Sequence, residues 1–95
     1  MRILGIETKI EMVDDNTKLS DKNVLHKGLA DSMRGTIHLN SEMPQDVKES
    51  VLSHEVIHII SDNNGLELSE PQVTILSTSL FCVLKENGLN FNIKE

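Results

Sequence analysis

The segment that most constrains the fold of this chain is Leu-Ser-His-Glu-Val-Ile-His-Ile-Ile, residues 52–60. At about 100° per residue in an α-helix, His54 and His58 turn to the same side, and Glu55 falls beside them. Apolar residues fill most of the remaining circumference, where a surface helix would carry charged residues. The pattern therefore predicts a central helix whose polar stripe opens into a cleft.

His54, Glu55 and His58 form a His-Glu-x-x-His motif, the arrangement in which zinc peptidases bind Zn²⁺ through two neutral imidazoles. The carboxylate inside the motif takes a proton from the metal-activated water. The sequence therefore predicts a metal site formed by His54 and His58, with Glu55 as general base. The alternative is a pair of histidines that satisfy their hydrogen bonds in a core and bind no metal.

A zinc ion that keeps one position for water needs a third protein ligand. Asp62 shares the helix face, but it is eight residues from His54, or about 12 Å along the axis, which is too far for one ion unless the helix breaks. Glu70 is the preferred candidate, because Gly65 allows the chain to reverse and bring a second helix alongside the first. Glu67 is the reserve. An acidic residue in a first helical turn also stabilises the helix dipole without any metal, and a site with no third protein ligand remains open.

Composition limits the class of protein. The 95 residues, of which 38% are hydrophobic and 25% charged, predict one domain (1–95) with an aliphatic core. A formal net charge of −6 argues against a nucleic-acid partner, since phosphate binding needs clustered Lys and Arg. The single cysteine, Cys82, is expected to be buried and inert. With no long apolar run, we expect a cytoplasmic protein without a leader peptide or membrane span.

The N-terminal part of the chain has strand patterns. Residues 3–13 alternate apolar and polar side chains and predict one half-buried strand. Residues 14–23 predict a turn and loop, and residues 24–30 fit either a short strand or a turn. A further short strand is predicted at residues 36–40, with its two apolar side chains on one face and His38 on the other.

Two helices follow. The first is predicted from Pro44 to about Asp62, with Gly65 as its C-terminal stop. The second begins with a capping box opened by Ser69 and ends at residues 87–88. Its apolar positions with the spacing to pack on the first helix are Val73, Leu76, Leu80, Val83 and Leu84. The alternating segment at the end of the sequence predicts a short strand or a tail on the core.

The order of a strand, a His-Glu-x-x-His helix, a turn and Ser-Glu at the head of a second apolar helix resembles the compact cytosolic metallopeptidases of the ImmA/IrrE type and their small phage-encoded relatives. The resemblance covers about residues 36–87 and is specific at His54, Glu55 and His58. It implies a minimal zincin-like α+β fold, in which a small antiparallel sheet of two to four strands packs on two helices. It also implies zinc bound by His54, His58 and Glu70, with Glu55 as general base.

The predicted function is zinc-dependent hydrolysis of a peptide bond in an intracellular protein, with Glu55 as the base. The chain has no Tyr, so the candidate side-chain donors to the oxyanion are His26, His38 and Arg34, each of which also fits an ordinary surface or strand position. The strand at residues 36–40 is a candidate to lie along the cleft edge and pair with an extended substrate.

Two alternatives belong to other classes. The first is a non-catalytic, peptidase-like binding module that acts on a protein partner; the small size and the lack of a placed oxyanion donor favour it, whereas the presence of Glu55 disfavours it. The second is a metal-free α+β domain in which His54 and His58 are core residues. Metal content separates the second alternative from the others, and a Glu55→Gln comparison separates the enzyme from the binding module.

Overall fold

A computed structural model of the chain describes residues 1–13, 20–21, 24–25, 28–31 and 34–89. Its elements are β1 (Arg2–Ile3), β2 (Ile6–Glu7), β3 (Lys9–Val13), β4 (Ser20–Asp21), β5 (Val24–Leu25), β6 (Gly28–Asp31), β7 (Thr36–Asn40), α1 (Gln45–Asn63) and α2 (Glu70–Glu86). The predicted α+β class, with two helices and small sheets, is confirmed. No helix in the described part of the chain is long and apolar enough to cross a membrane.

The main sheet has three strands in the order β3-β7-β6. β6 pairs with β7 antiparallel, as expected, but β3 pairs with β7 in parallel, so this sheet is mixed. A parallel pair requires a connection of about a dozen residues or more, and the segment between β3 and β7 is long enough to return the chain. Two further antiparallel pairs, β1 with β2 and β4 with β5, complete the strands described.

The prediction of a single strand at residues 3–13 is wrong, because β1 and β2 form a hairpin before β3 begins. Leu4 and Gly5 have φ angles of 54° and 80°, the left-handed backbone that a tight two-residue hairpin turn requires. This turn separates β1 from β2 and leaves Ile6 53% exposed. Apolar and polar residues alternate both before and after the turn, with the phase shifted at Leu4 and Gly5.

The core lies between the inner face of the main sheet and α1. Ile37 and Leu39 of β7 are fully buried there, as their alternation predicted. The buried hydrophobic cluster consists of Ile3, Ile37, Leu39, Leu52, Val56 and Ile59. His38 points to the opposite face, where its Nε2 lies 2.8 Å from Glu11 Oε2 on the neighbouring strand. Since α1 contacts the sheet and α2 at once, it is the central helix that its apolar circumference predicted.

The helix boundaries agree with the sequence signals. α1 begins after Pro44, and Gly65 has the left-handed φ of 67° expected of a helix stop. At the head of α2 the Gln72 N–H donates to Ser69 Oγ at 3.3 Å, and the Ser69 N–H donates to Gln72 Oε1 at 2.8 Å. The capping box is therefore confirmed. The predicted loop at 14–23, apart from β4, and the predicted terminal segment after Leu89 lie outside the described residues.

The packing face of α2 differs from the predicted one. Of the five predicted positions only Val73 is buried, while Leu76 and Val83 are 48% and 54% exposed. The next buried residue is Ser77, one turn after Val73. Cys82 was expected to be buried, but it lies off this seam and is exposed. Residues 71–84 carry no charge, so no charged stripe marks which side of α2 faces the protein.

An ion pair joins the helices at the end of α2 that lies far from Glu70. Lys85 Nζ lies 2.9 Å from Glu49 Oε2, an ion pair rather than a hydrogen bond, and the Glu49 side chain is only 8% exposed. Removal of Lys85 would leave the Glu49 carboxylate buried without this partner, and an unpaired buried charge is strongly destabilising. The contact therefore helps to hold α2 antiparallel to α1, with its N-terminus beside the histidines.

Candidate metal centre

His54 and His58 lie one turn apart on α1 and point their Nε2 atoms toward each other. The two Nε2 atoms are 3.1 Å apart, and the rings meet edge to face with centroids 4.8 Å apart. Both side chains are about one quarter to one third exposed, at 26% and 30%. The convergence follows from the spacing of four residues in a regular helix.

Glu70, the first residue of α2, completes the group. Its Oε1 lies 2.7 Å from His58 Nε2, and its Oε2 lies 3.3 Å from His54 Nε2. One ligand atom from each of the three residues falls within 4.8 Å of the others. Ligand atoms about 2.0–2.1 Å from a tetrahedral zinc are roughly 3.3 Å apart. The observed separations of 2.7–3.3 Å are close to this value, with the two N···O distances measured to different oxygens of Glu70.

The other acidic candidates are placed differently. Within the described ranges, the one group of three or more His, Cys, Asp or Glu side chains suited to a metal is His54, His58 and Glu70. Asp62 lines the same cleft but is not in that group, as its distance along α1 led us to expect. Glu67 is likewise outside it. The geometry therefore favours Glu70 as the third ligand.

Glu55 lines the same cleft as the three candidate ligands and is buried, with 8% of its surface exposed. Burial, and secondly the negative charge of Glu70, raise its pKa from 4.5 to about 7. A carboxyl group with a pKa near neutrality suits a general base, because it can both accept and return a proton at that pH. A divalent cation at the ligands would favour its ionised form.

Glu55 should make the stability of the metal-free protein depend on pH. The pKa of Glu55 in the folded state is raised from 4.5 to about 7, so the folded state binds the proton of this carboxyl group more tightly than the unfolded state does. The contribution of Glu55 to the free energy of unfolding therefore falls as the pH rises from about 4.5 through about 7. The difference between these pKa values corresponds to about 3 kcal/mol. In the presence of a chelator, the free energy of unfolding of Glu55→Gln should therefore equal that of wild type near pH 4 and exceed it by up to about 3 kcal/mol at pH 8. Urea unfolding of both proteins across this range measures the difference, and a difference independent of pH would contradict the prediction.

His54, His58 and Glu70 open into a cleft of about 540 Å³. Its walls are β6 on one side and the helices on the other, with the lining residues Gly28, Leu29, Ala30, His54, Glu55, His58, Asp62 and Glu70. β6 is an edge strand, since in the described part of the chain its only strand partner is β7. Its outer edge offers main-chain N–H and C=O groups to an extended peptide.

Residues 36–40 do not border the cleft as predicted. They form β7, which is hydrogen-bonded to β3 on one side and β6 on the other. A central strand has no edge left for a substrate, so β6 takes that position instead. The sequence carried only a weak signal for this, because 24–30 fitted both a strand and a turn.

The two predicted side-chain donors to an oxyanion that the structure describes, His38 and Arg34, are not at the cleft. His38 lies on the outer face of the sheet with Glu11, where hydrogen bonding to Lys9 lowers the Glu11 pKa. Arg34 is exposed and pairs with Asp31 at 3.6 Å, and neither residue lines the cleft. His26 lies outside the described residues. β6 lines the cleft and has one unpaired edge in the described part of the chain, so its main-chain N–H groups are the alternative candidates.

Gly28 allows β6 to approach α1 closely. A Cβ atom at this position would lie 2.7 Å from Val51 Cγ1 and 3.1 Å from the carbonyl oxygen of His38. Val51 is β-branched and has little rotamer freedom in a helix, and the carbonyl belongs to the backbone of β7. The close wall of the cleft therefore depends on the absence of a side chain here.

We expect Gly28→Ala to lower the free energy of unfolding by about 1–3 kcal/mol, because β6 must move away from α1. Urea unfolding against wild type measures the loss. Zinc affinity should change little, since all three candidate ligands are on the helices. Unchanged stability would show that the strand can shift without cost and would contradict the close packing described.

Comparison with known proteins finds no matching protein-family model, no matching curated protein and no matching solved structure. The residues of the cleft and the chemistry they allow are therefore the basis for a functional proposal.

Proposed function

We propose that this chain is a zinc-dependent metallopeptidase that cleaves a peptide bond in an intracellular protein. The observation that carries the proposal is the convergence of His54, His58 and Glu70 on one point beside the buried carboxyl group of Glu55. Two imidazoles and a carboxylate are a donor set of catalytic zinc sites, which leave a fourth position for water or substrate. The proposal extends the resemblance to compact ImmA/IrrE-type peptidases.

The contact between the histidines supports a metal more than a hydrogen-bonded network. If each Nε2–H donated to Glu70, both Nε2 atoms would carry hydrogens while lying 3.1 Å apart, so two donors would face each other. If only one Nε2 carried a hydrogen, it could donate to its neighbours, but the other Nε2 would face the Glu70 carboxylate as a second acceptor. If both nitrogens are unprotonated, their lone pairs and the Glu70 carboxylate point at the same place. A cation satisfies all three acceptors at once.

The neighbouring residues can supply the remaining steps of hydrolysis. Zinc, when bound, supplies a Lewis acid that polarises a peptide carbonyl and lowers the pKa of a water molecule. Glu55 would accept a proton from the attacking water and return it to the leaving amine. β6 can hold the peptide extended across the cleft by main-chain hydrogen bonds, and its outer N–H groups are the candidate donors to a developing oxyanion.

A pooled library of unstructured peptides tests the activity. We expect the zinc-loaded protein to create new peptide termini, detected by mass spectrometry, and we expect a chelator to stop this and added zinc to restore it. Cleavage that continues in chelator would point to a contaminating or metal-independent peptidase.

A binding module is the second candidate, and the surface of α2 favours it. Ile75, Leu76 and Val83 are 48–66% exposed on a helix without charges over residues 71–84. Such an apolar face is typical of a protein-binding surface. A zinc-loaded wild type that cleaves no peptide, and that behaves identically to Glu55→Gln in partner binding, would support this candidate over the enzyme.

A further inference from the structure

Glu70 contacts both imidazoles although its side chain is 68% exposed. Surrounding protein therefore does little to confine the carboxylate. Its place is set mainly by where α2 begins, because Glu70 is the first residue of that helix. The connection between the helices, residues 64–69, thus decides whether the carboxylate reaches the histidines.

This connection begins with a standard helix ending that carries one additional hydrogen bond. The Gly65 N–H donates to the Asp62 carbonyl at 3.4 Å, and the Leu66 N–H donates to the Ser61 carbonyl at 2.9 Å, which is the Schellman motif. In addition, Ser61 Oγ donates to the Leu66 carbonyl at 3.0 Å. Ser61 and Leu66 are therefore joined by two bonds that run in opposite directions.

The other buried helical serines do not bond in this way. Ser53 Oγ donates back to the Glu49 carbonyl at 3.0 Å, and Ser77 Oγ donates back to the Thr74 carbonyl at 3.2 Å. Both bonds stay within one helix, which is the usual habit of a helical serine. Ser61 is 4% exposed and instead bonds forward, to the connection that leads to Glu70.

The end of α2 shows that the motif itself needs no serine. There the Gly88 N–H donates to the Lys85 carbonyl at 3.2 Å, and the Leu89 N–H donates to the Leu84 carbonyl at 2.8 Å. Leu84 occupies the position that Ser61 has in α1. The Ser61 hydroxyl is thus not required to end a helix, and its bond to Leu66 acts on the connection alone.

We infer that Ser61 is a positioning residue that holds Glu70 within reach of the metal. Its two bonds fix Leu66 against the last turn of α1, and three residues later Ser69 caps α2. The path from α1 to Glu70 is then restrained at both of its ends. This inference rests on the proposed function, because it concerns the affinity of the same zinc site.

The test is a zinc titration in competition with a chromogenic chelator. We expect Ser61→Ala to bind zinc roughly tenfold more weakly than wild type, as is typical when a residue that supports a ligand is removed. Ser61→Thr, which keeps the hydroxyl group, should restore most of the affinity. If Ser61→Ala does not fold, Ser61→Val is compared with Ser61→Thr, which has nearly the same shape but keeps the hydroxyl group, and Ser61→Val should bind zinc more weakly.

Two controls separate positioning from general destabilisation. Ser77→Ala removes a buried hydroxyl whose bond stays inside α2, and it should leave zinc affinity unchanged. In a Glu70→Ala background, Ser61→Ala should have no further effect, because its influence passes through Glu70. Two results would overturn this inference but leave the proposed function standing. One is equal zinc affinity of Ser61→Ala and wild type, and the other is a loss of affinity from Ser61→Ala that is just as large in the Glu70→Ala background. A wild type that binds no zinc would overturn both this inference and the proposed function.

Discussion

Glu55→Gln is expected to lower the rate of peptide hydrolysis by at least about 100-fold while leaving zinc binding intact. The amide has nearly the same shape as the carboxyl group but cannot accept the proton. Because Glu55 is not one of the three groups that converge, its replacement leaves the proposed ligands in place. Initial rates on a peptide identified from the library, measured at saturating zinc, give the comparison.

Glu67→Gln is the matched control for this experiment. It makes the same chemical change on an exposed residue of the connection between the helices, outside the ligand group and the cleft lining. Its hydrolysis rate should equal that of wild type. If Glu55→Gln kept wild-type activity, another residue would have to move the proton, and the assignment of the base would be wrong.

Glu70→Ala is expected to weaken zinc binding by more than the roughly 10–100-fold that loss of a residue supporting a ligand costs. The carboxylate is the one contribution to the group that comes from α2. Its removal would leave two imidazoles, and zinc sites in proteins normally use three or four protein ligands. Competition titrations against wild type measure the loss.

Glu67→Ala distinguishes this role from a general effect of negative charge. Both glutamates lie near the start of α2, so both substitutions reduce the negative charge near the candidate metal site. We expect Glu67→Ala to retain wild-type affinity. Comparable losses in the two variants would mean that the geometry of Glu70 is not decisive. An acidic residue in the first turn also stabilises a helix by about 0.3–1 kcal/mol. Urea unfolding of each variant in the presence of a chelator measures this change separately.

Local sequence signals predicted much of the fold because their physical causes are local. The stop at Gly65, the capping box at Ser69 and the alternation around His38 each depend on a few neighbouring residues, and all appear in the structure. The convergence of His54 and His58 has the same origin, because helix geometry alone places them together.

The errors concern choices that depend on distant parts of the chain. The side of α2 that is buried depends on its packing against α1, and without charged residues in 71–84 the sequence did not indicate it. The exposure of Cys82 follows from the same rotation. The cleft edge depends on strand order, which placed β7 in the centre and β6 outside. The hairpin at Leu4 required a left-handed leucine, which composition does not predict.

The candidate site shows the same difference between local and distant signals. His54, Glu55 and His58 follow from one motif, whereas Glu70 required a judgement about how the chain reverses after Gly65. The structure brings Glu70 against both histidines. It also adds the wall formed by β6, whose main-chain edge is a property of sheet topology that the identities of Gly28, Leu29 and Ala30 do not reveal.

The metal content of protein purified without a His-tag or chelator tests the central claim most directly. Wild type is measured beside the His54→Ala/His58→Ala double variant, both before and after incubation with zinc and removal of the excess. We predict about one zinc ion per wild-type chain and none retained by the double variant. A folded wild type that neither carries nor takes up zinc would contradict the account, and it would leave His54 and His58 as a hydrogen-bonded pair on α1.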